Sequence, residues 1–478
     1  MLLDSADFAA IRQNTHTQRK QVYPDASDAR SCAASLYEDG IWRCLILIWA
    51  ARQVPTSPRY ESVMLHRHCL FALVLTFTAA AASAEDWPAF RGPQRNGHSK
   101  ATGLPTHWTQ TENVTWKQAI PGLGWSSPVV ADGRLCLTTA VPVDGTEEDH
   151  ALTALILDAK TGNTLQSVEL FRQLGATAPG IHTKNSHASP TPIIDGDRIY
   201  VHFGHQGTAC LTTAGEIVWR NDTLRYRPVH GNGGSPALVG DHIIFSCDGA
   251  ADPFIVALNK NTGDVVWRRE RDTDAFKKFS FNTPLHIDVA GQSQLISLGS
   301  NRVRSYDPET GNEIWFASYD GYSVIPRPVA GHGMVFIATG YDRPSVMAIR
   351  VDGQGDVNDS HVAWTVTRAA PHTPSLLLVD DLLFMVSDSG ILTCLDALMG
   401  EQVWQERIGG RYSASPVYAE GSIYLQNEAG DGLVVAAGRE FRQVAENTVG
   451  ERTLASYAIA DGAIFVRGES HLFRIEKQ

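Results

Sequence analysis

Charged side chains are scarce in this chain: 19% of its 478 residues are charged and 43% are hydrophobic. The charge that is present is mostly negative, with 52 acidic residues against 40 basic ones and a net charge of −12. A nucleic-acid-binding surface needs an excess of Lys and Arg, so this balance argues against nucleic acid as a partner. The 41 glycines and 23 prolines suit a large all-β protein rich in turns and argue against disorder.

Long hydrophobic runs are also missing. The most apolar stretch, residues 69–82, is too short to span a bilayer, so we do not expect a membrane-spanning protein. It follows Met64 and a short basic segment, and the small residues 82–84 form an A-x-A cleavage site, which makes residues 64–84 a predicted cleaved signal peptide. A targeting signal works at a free N-terminus, so residues 1–63 are interpreted as a spurious or disordered upstream extension. We therefore expect a periplasmic or otherwise exported protein.

Removal of residues 1–84 takes away 8 basic and 7 acidic side chains and leaves 32 basic and 45 acidic ones, a net charge of −13. Cysteine is scarce in what remains, because only Cys136, Cys210, Cys247 and Cys394 of the seven cysteines follow residue 84. Each lies in a different predicted strand, so we expect four free, buried thiols, with one bridged pair as the alternative.

Recognisable catalytic and metal-binding constellations are missing as well. No Ser-His-carboxylate set and no acid pair is placed so that a repeat would bring its members together. His187, His230 and His372 lack the close spacing of dedicated metal ligands, so no metal site is expected. The glycine-rich segment 231–234 precedes a strand and not a helix, which argues against a phosphate-binding loop.

The chain does contain a sequence motif that recurs every 40 to 50 residues. It consists of Ser/Thr-Pro, an apolar run, a tight turn, a second apolar run, and then Thr-Gly and Trp. The eight starting points are Ser127-Pro128, Ser189-Pro190, Ser235-Pro236, Thr283-Pro284, Arg327-Pro328, Thr373-Pro374, Ser415-Pro416 and the degraded Ala455-Ser456. Short strands joined by tight turns at this period predict a β-propeller, here all-β with eight blades of four antiparallel strands.

Tryptophan marks the outer strand of each predicted blade. Trp219, Trp267 and Trp315 are 48 residues apart, and each follows a small residue by nine or ten positions. We expect each Trp to stack on the small residue of a neighbouring blade. The eighth blade lacks such a strand at the C-terminus, so the strand near Trp116 should complete it and close the ring. The predicted propeller therefore covers residues 111–478, and residues 85–110 form an N-terminal segment that packs on it.

The repeat resembles that of PQQ-binding-like β-propeller proteins, the quinoprotein repeat superfamily. The segments 87–93 and 122–128 are similar to the openings of exported bacterial members, which are related to the propeller lipoprotein of the β-barrel assembly machinery. The resemblance implies either a quinoprotein dehydrogenase with PQQ and Ca²⁺ or a partner-binding scaffold without a cofactor. The dehydrogenases carry an adjacent Cys-Cys disulfide that this chain lacks, so we expect no cofactor, with PQQ and Ca²⁺ as the alternative.

The links that lead into the inner strands of a propeller converge on one mouth of its channel, which is where we expect a ligand site. Six of the eight links carry Lys or Arg, which would favour an anionic or polyhydroxylated ligand. The candidate ligand-binding residues are Trp125, Lys184, Asn185, His187, Arg227, His230, Asn232, Lys278, Asn282, Arg327, His372, Arg411 and Tyr412.

The sequence as a whole favours a monomeric, exported, non-catalytic binding or scaffold module for a protein partner or for an anionic or polysaccharide ligand. A PQQ-dependent oxidoreductase is the first alternative. A carbohydrate-binding or polysaccharide-active protein is the second, because Trp125, Tyr322 and Tyr412 could stack on sugar rings.

Overall fold

The computed structural model describes residues 85–146 and 148–478, and the predicted extension and signal peptide lie outside this part. The described chain folds into eight β-sheets, each built from four sequential antiparallel strands except the eighth. The prediction of an eight-bladed propeller is confirmed. Within the described residues, helix is limited to two 3₁₀ turns at Gly175–Thr177 and Gly204–Gln206, and no helix is long and apolar enough to cross a membrane.

Blades 1 to 4 follow one another along the chain. Their strands, from inner to outer, are Val129–Ala131, Arg134–Pro142, His150–Asp158 and Thr164–Gln173 in blade 1; Ile193–Asp195, Arg198–His202, Thr208–Thr212 and Ile217–Asn221 in blade 2; Ala237–Val239, His242–Cys247, Phe254–Asn259 and Val265–Glu270 in blade 3; Leu285–Val289, Gln292–Gly299, Arg302–Tyr306 and Glu313–Ser318 in blade 4. A short strand, Gly355–Asp356, adds in parallel to the outer edge of blade 4.

Blades 5 to 8 complete the ring. Their strands are Val329–Gly331, Met334–Ala338, Val346–Arg350 and Val362–Val366 in blade 5; Leu377–Val379, Leu382–Val386, Ile391–Asp396 and Gln402–Arg407 in blade 6; Val417–Ala419, Ser422–Gln426, Asp431–Ala436 and Gln443–Thr448 in blade 7; Ala458–Ala460, Ala463–Arg467, His471–Ile475 and Val114–Ala119 in blade 8.

Blade 8 is closed by the N-terminal strand, as predicted. Val114–Ala119 pairs antiparallel with His471–Ile475, and Trp116 lies opposite Arg474. The pairing joins the two ends of the ring through backbone hydrogen bonds and leaves no gap between blade 8 and blade 1.

The repeated turns explain why the strands stop where they do. At Asp132-Gly133, between the first two strands of blade 1, both residues have positive φ angles of 48° and 70°. A two-residue hairpin of this kind needs the left-handed region at both positions, which Asp and Gly tolerate best. Asp132 therefore serves as a turn residue.

The packing of each Trp differs from the prediction in one respect. The small residue belongs to the same blade: Ala257, for example, lies directly opposite Trp267 on the adjacent strand. The contact with the neighbouring blade is made to the Thr-Gly turn, because the Trp267 ring packs against Gly311 and its Nε1 donates to the carbonyl oxygen of Pro308 at 2.9 Å. Thr-Gly and Trp recur together in the sequence because they touch across the blade boundary.

The predicted start of the inner strand is wrong by two residues in blades 2 and 6 and by one residue in blade 8, where Ser456 and not Ala455 has the ring position of Ser127. In every blade the residue two positions before the inner strand has the same place in the ring, and in blades 2 and 6 this residue is Thr191 and Ser375. The sequence landmarks Ser189-Pro190 and Thr373-Pro374 lie two residues earlier. Blade 2 contains two consecutive Ser/Thr-Pro pairs, and Ser375 is followed by Leu376, so the motif alone could not set the register.

The N-terminal segment runs through the channel before it reaches the rim of the ring. Trp87 forms a β-bridge with Val130 on blade 1, and His98–Ser99 pairs in parallel with the inner strand of blade 7. Between these points the buried Arg91 donates to the carbonyl oxygens of Leu376 and Pro416. The segment thus links the inner strands of blades 1, 6 and 7 across the channel.

Candidate functional site

A pocket of about 300 Å³ opens at the mouth where the links enter the inner strands. The second-to-third-strand turns of the blades lie at the same face, because adjacent strands run in opposite directions. Phe90, from the N-terminal segment, lies at the bottom of the pocket. The pocket is therefore a blind cavity whose floor is the segment that fills the channel. Its volume is at the lower end of the usual range for small-molecule sites, roughly 300–1,000 Å³.

A belt of side-chain hydroxyls surrounds the floor of the pocket. In seven blades the residue two positions before the inner strand is Ser or Thr. Each of these seven hydroxyl oxygens accepts a hydrogen bond, 2.9–3.2 Å long, from the backbone N–H of the equivalent residue in the preceding blade. We call these residues the hydroxyl belt: Ser127, Thr191, Ser235, Thr283, Ser375, Ser415 and Ser456. The belt ties each inner strand to the next except between blades 4 and 5, where Arg327 takes the place of the hydroxyl residue.

Arg327 occupies the eighth position of this ring. Its side chain points below the belt, where it donates to the carbonyl oxygens of Phe90 at 2.9 Å and of Pro284 at 2.8 Å. Burial, together with the charges of Arg95 and Arg91, lowers the pKa of this guanidinium. Arg327 therefore holds the N-terminal segment in the channel and is not part of the pocket lining.

An arc of aromatic rings forms one wall of the pocket and follows the mouth from blade 2 to blade 6. Consecutive ring centroids are 4.6–6.4 Å apart, within the range of favourable aromatic contacts. We call these residues the aromatic arc: His182, His230, Phe279, Tyr322, Tyr341 and His372. Across the pocket, Trp125 faces Arg452, whose guanidinium carbon lies 5.1 Å from the indole centroid.

Lys184 lies on the link between blades 1 and 2, yet it reaches the opposite side of the mouth. Its Nζ is 2.8 Å from Glu428 and 3.3 Å from Asp388, on blades 7 and 6. Arg452 donates to the carbonyl oxygen of the neighbouring Thr183. We call residues 174–185, which contain these contacts, the mouth loop. The same end of this loop is also fixed to the link between blades 2 and 3, through the hydrogen bond from the Asn185 side chain to the His230 carbonyl at 2.8 Å.

The charges in this contact stabilise one another. Burial opposes ionisation of Asp388, but hydrogen bonds from His372 and Thr373 and the charge of Lys184 outweigh it and hold its pKa far below the usual value. For Lys184, burial is likewise outweighed by Glu428 and Asp388, which raise the pKa of the ammonium. At neutral pH Asp388 and Lys184 are therefore ionised, and the ammonium of Lys184 is already paired with the carboxylates of Asp388 and Glu428.

Four of the candidate residues meet in the pocket: Trp125, Lys184, Asn185 and His230 line it. Burial, with the nearby His182 and Lys277, lowers the pKa of His230, so its ring is neutral at pH 7. His372 lies just outside, at the end of the aromatic arc, where its backbone N–H donates to Asp388.

The other candidates lie elsewhere. His187 contacts His150, and its pKa is lowered to about 4 by burial and by two neighbouring histidines. Asn232 and Asn282 are buried in hydrogen bonds to Tyr226 and to the Pro326 carbonyl. Tyr412 is 3% exposed and packs in the core. Arg227, Lys278 and Arg411 are exposed or half-buried around the mouth and outside the pocket lining.

Several residues of the site were missed. Asp388 and Glu428 lie in the second-to-third-strand turns of blades 6 and 7, each two residues before a glycine, and Tyr341 lies in the corresponding turn of blade 5. The prediction takes its mouth residues from the links that lead into the inner strands, although the second-to-third-strand turns lie at the same face. The matching positions of the two acids before Gly390 and Gly430 were the available signal.

The side chains present do not fit a PQQ and Ca²⁺ centre. PQQ carries three carboxylates, and Lys184 and Lys277 are the lysines or arginines that line the pocket within the described residues. Lys184 is already paired with two carboxylates, which leaves Lys277 for three negative charges. In the described part of the chain, no three His, Cys, Asp or Glu side chains lie close enough together to hold a metal ion. All four described cysteines are free and buried.

Comparison with known proteins places this geometry in a family. A family profile described as outer membrane protein assembly factor BamB matches residues 102–222, 156–376 and 354–468. The chain belongs to this family.

Curated relatives match over shorter stretches. A BamB from Francisella salina, named as an outer membrane protein assembly factor, is 26% identical over 160 residues, which are 31% of this chain and 27% of that protein. A quinoprotein ethanol dehydrogenase from Pseudomonas aeruginosa is 34% identical over 92 residues, 17% of this chain and 14% of the enzyme. The matched region thus spans well under two thirds of either relative.

Two solved structures share the fold. BamB from Moraxella catarrhalis superposes with a TM-score of 0.53 at 11% identity and covers 76% of this chain and 99% of the other. A europium-containing methanol dehydrogenase superposes with a TM-score of 0.60 at 10% identity and covers 81% and 90%. The resemblance to PQQ-type propellers is thereby confirmed, and at these identities it extends to the fold alone.

Proposed function

We propose that this protein is an exported, non-catalytic binding module of the BamB family, which acts as a monomeric scaffold and uses the mouth pocket as its contact surface. The observation that carries the proposal is the pairing of Lys184 with both Asp388 and Glu428. General acid–base chemistry needs a titratable group that is free to exchange a proton with a ligand. Both carboxylates next to the pocket are instead paired with an internal lysine, and Asp388 is held ionised.

The comparisons support a role in assembly more than one in chemistry. The family profile and the Francisella salina relative are both named for outer membrane protein assembly. We take this as support for a protein partner and for a location in the periplasm. The signal peptide predicted at residues 64–84 is consistent with export. The mouth is the part of this chain that combines a cavity with exposed cations such as Arg411, so it is the face we assign to the partner.

The experiment is a capture assay with the full chain, tagged at its C-terminus and produced in a Gram-negative host. Envelope proteins are cross-linked, recovered and quantified for the wild type and for Arg411→Glu, which reverses a charge at the mouth. Arg442→Glu is the matched control, because Arg442 is an exposed arginine just before the outer strand of blade 7, at the face opposite the mouth. We expect specific partners to be lost in Arg411→Glu and retained in Arg442→Glu. Equal recovery in both variants would contradict the assignment of the mouth as the contact surface.

A quinoprotein oxidoreductase is the second candidate, because one curated relative and one structural neighbour are PQQ-type or lanthanide-type dehydrogenases by name. A titration of the full chain with PQQ, with and without Ca²⁺, separates the two proposals. We expect no saturable absorbance change and no rise in Tm at any PQQ concentration tested. A saturable, Ca²⁺-dependent rise in Tm would favour the oxidoreductase.

A further inference from the structure

The hydroxyl belt has hydrogen-bonding capacity that the protein leaves unused. Each of its seven hydroxyl oxygens accepts a backbone N–H, but within the described residues none of the seven O–H groups has an acceptor. Other hydroxyls of the same pocket do have one: Thr373 donates to Asp388, Ser413 to Glu428 and Ser189 to Asn185. The belt thus contributes seven O–H groups without an acceptor in the described protein, all near the floor of the pocket.

The residues that carry these donors are largely buried, and their hydroxyls face the pocket. Every belt residue is at least 93% buried, with relative exposures between 2% and 7%, and every one lines the pocket. A buried O–H without a partner costs free energy, so the arrangement favours a ligand that presents several hydrogen-bond acceptors to the floor. Oxygen-rich molecules meet this requirement, whereas purely apolar ones do not.

The wall of the pocket adds a second requirement. Phe279, Tyr322 and Tyr341 line the side of the pocket as consecutive members of the aromatic arc. Aromatic side chains bury the apolar faces of ring-shaped ligands, and Tyr adds a polar end to an apolar body. A ligand that satisfies both floor and wall has flat apolar faces and oxygen atoms around its edge, which is the surface of a pyranose ring.

Charge decides between a neutral and an anionic ligand. The ammonium of Lys184 is paired with two carboxylates. Lys277 contacts the hydroxyl of Tyr322 at 2.6 Å and lies at the exposed rim. Arg327 lies below the belt and is bound to backbone carbonyls. Within the described lining, no cation is left unpaired at the floor, so a dense negative charge would find hydroxyl donors there but no counter-charge.

We propose that the pocket binds the terminal sugar units of a neutral glycan, with a pyranose face against Tyr341 and Phe279 and its oxygens accepting hydrogen bonds from the hydroxyl belt. This inference rests on the proposed non-catalytic role of the same pocket, since it requires binding without cleavage. The glycan end enters from the mouth and is stopped by Phe90 and the N-terminal segment.

The test is a titration of the full chain with neutral di- to hexasaccharides of glucose, mannose and xylose, followed by calorimetry and by the fluorescence of Trp125, which lines the pocket. Galacturonate oligomers form a second arm. We expect saturable binding of at least one neutral series, with no release of shorter sugars on long incubation. Tighter binding of the uronates, or cleavage of a bound glycan, would overturn the proposal of a neutral, unreacted ligand.

Two variants with matched controls test the site itself. Thr283→Val removes one belt hydroxyl and should raise the dissociation constant roughly 2- to 10-fold, the effect of one hydrogen bond. Tyr341→Leu should raise it by about the same factor through loss of ring stacking. Thr164→Val, at an exposed position of the outer strand of blade 1, is the control and should not change binding. If neither variant weakens binding while both remain folded by circular dichroism, the glycan lies elsewhere and the proposal fails.

The outcome is separable from that of the proposed function. Loss of captured partners in Arg411→Glu without glycan binding would keep the scaffold role and overturn the glycan. Glycan binding with equal capture in all variants would keep the ligand and overturn the partner surface.

Discussion

The indole of Trp219 lies against Gly263 of the next blade so closely that a Cβ atom on the glycine would be 2.5 Å from the ring carbon Cε3. The Trp219 Nε1 also donates to the carbonyl oxygen of Lys260, in the same turn, at 2.9 Å. Gly263 has a φ angle of 77°, so its place in the turn requires both a left-handed backbone and the absence of a side chain. The same contact recurs between Trp364 and Gly400 and between Trp116 and Gly162.

Gly263→Ala should therefore destabilise the protein by more than a left-handed backbone alone explains. We expect a loss of about 1–3 kcal/mol through overpacking, in addition to the cost of the alanine φ. Gly133→Ala is the matched control, because Gly133 has a φ angle of 70° and open space around the added Cβ. Chemical denaturation of both variants measures the difference. Equal losses would mean that Trp219 moves away at no cost.

Acidification should weaken the fold through His202. Burial, aided by the charge of His205, lowers the pKa of His202 to about 3, and its Nδ1 contacts the Thr208 hydroxyl at 2.8 Å. The unfolded chain, with an ordinary histidine pKa, binds the proton first, so stability from this residue is present above about pH 6.5 and falls towards pH 3. We expect a loss of about 2 kcal/mol at pH 5 relative to pH 8.

His202→Gln provides the control for that prediction, since glutamine does not titrate. Between pH 8 and pH 5, the free energy of unfolding should fall by about 2 kcal/mol more in the wild type than in the variant. Chemical denaturation at the two pH values measures this difference. An unchanged pH dependence would show that other groups account for the acid sensitivity.

The four described cysteines should be inert in the folded protein. Burial raises the pKa of Cys136 and Cys394 to about 12, and of Cys210 to about 11, with smaller effects of nearby charges on the last two. Thiolate, the reactive form, is therefore rare at neutral pH, and none of these side chains is more than 1% exposed. Alkylation followed by peptide mass spectrometry should label Cys136, Cys210, Cys247 and Cys394 only in denaturant. Labelling of Cys247 without denaturant would indicate local opening of blade 3.

Lys184→Met should release the mouth loop. The variant keeps an unbranched side chain but leaves Asp388 and Glu428 without their shared ammonium, and such partly buried carboxylates then repel each other. Hydrogen exchange at residues 183–185 should rise at least several-fold, while Lys278→Met, at a half-buried lysine outside the pocket lining, should leave it unchanged. Exchange that stays slow in Lys184→Met would show that the contacts of Asn185 and Thr183 suffice to hold the loop.

The repeat in the sequence was enough to predict most of the fold. The eight recurring starting points, from Ser127-Pro128 to Ala455-Ser456, predicted the number of blades, and the unpaired strand near Trp116 predicted how the ring closes. The register in blades 2 and 6 was not available, because Thr191 and Ser375 are recognised by their bond to the next blade and not by a following proline. The true partner of the Trp ring, a glycine some 44 residues later, likewise becomes clear only when adjacent blades are placed side by side.

The candidate site was predicted less well, for a different reason. Residues near the mouth were chosen by charge, but whether a cation faces solvent or a carbonyl depends on what fills the channel. The side chain of Arg327 points away from the pocket because the carbonyl oxygens of Phe90 and Pro284 accept its hydrogen bonds below the belt. Lys184 kept its place but lost its free charge to Asp388 and Glu428, which lie more than 200 residues away. Such pairings are properties of the closed ring.

The strand that closes the ring has a consequence for how the molecule is made. Val114–Ala119 pairs with His471–Ile475, so the first blade strand to leave the ribosome finds its partner only after the other strands of the ring have been synthesised. Until then Trp116 has no Phe465 to contact, and blades 1 to 7 form an open arc with two exposed edges. The strand His471–Ile475 thus converts an aggregation-prone arc into a closed ring, and we expect its loss to reduce the yield of folded protein.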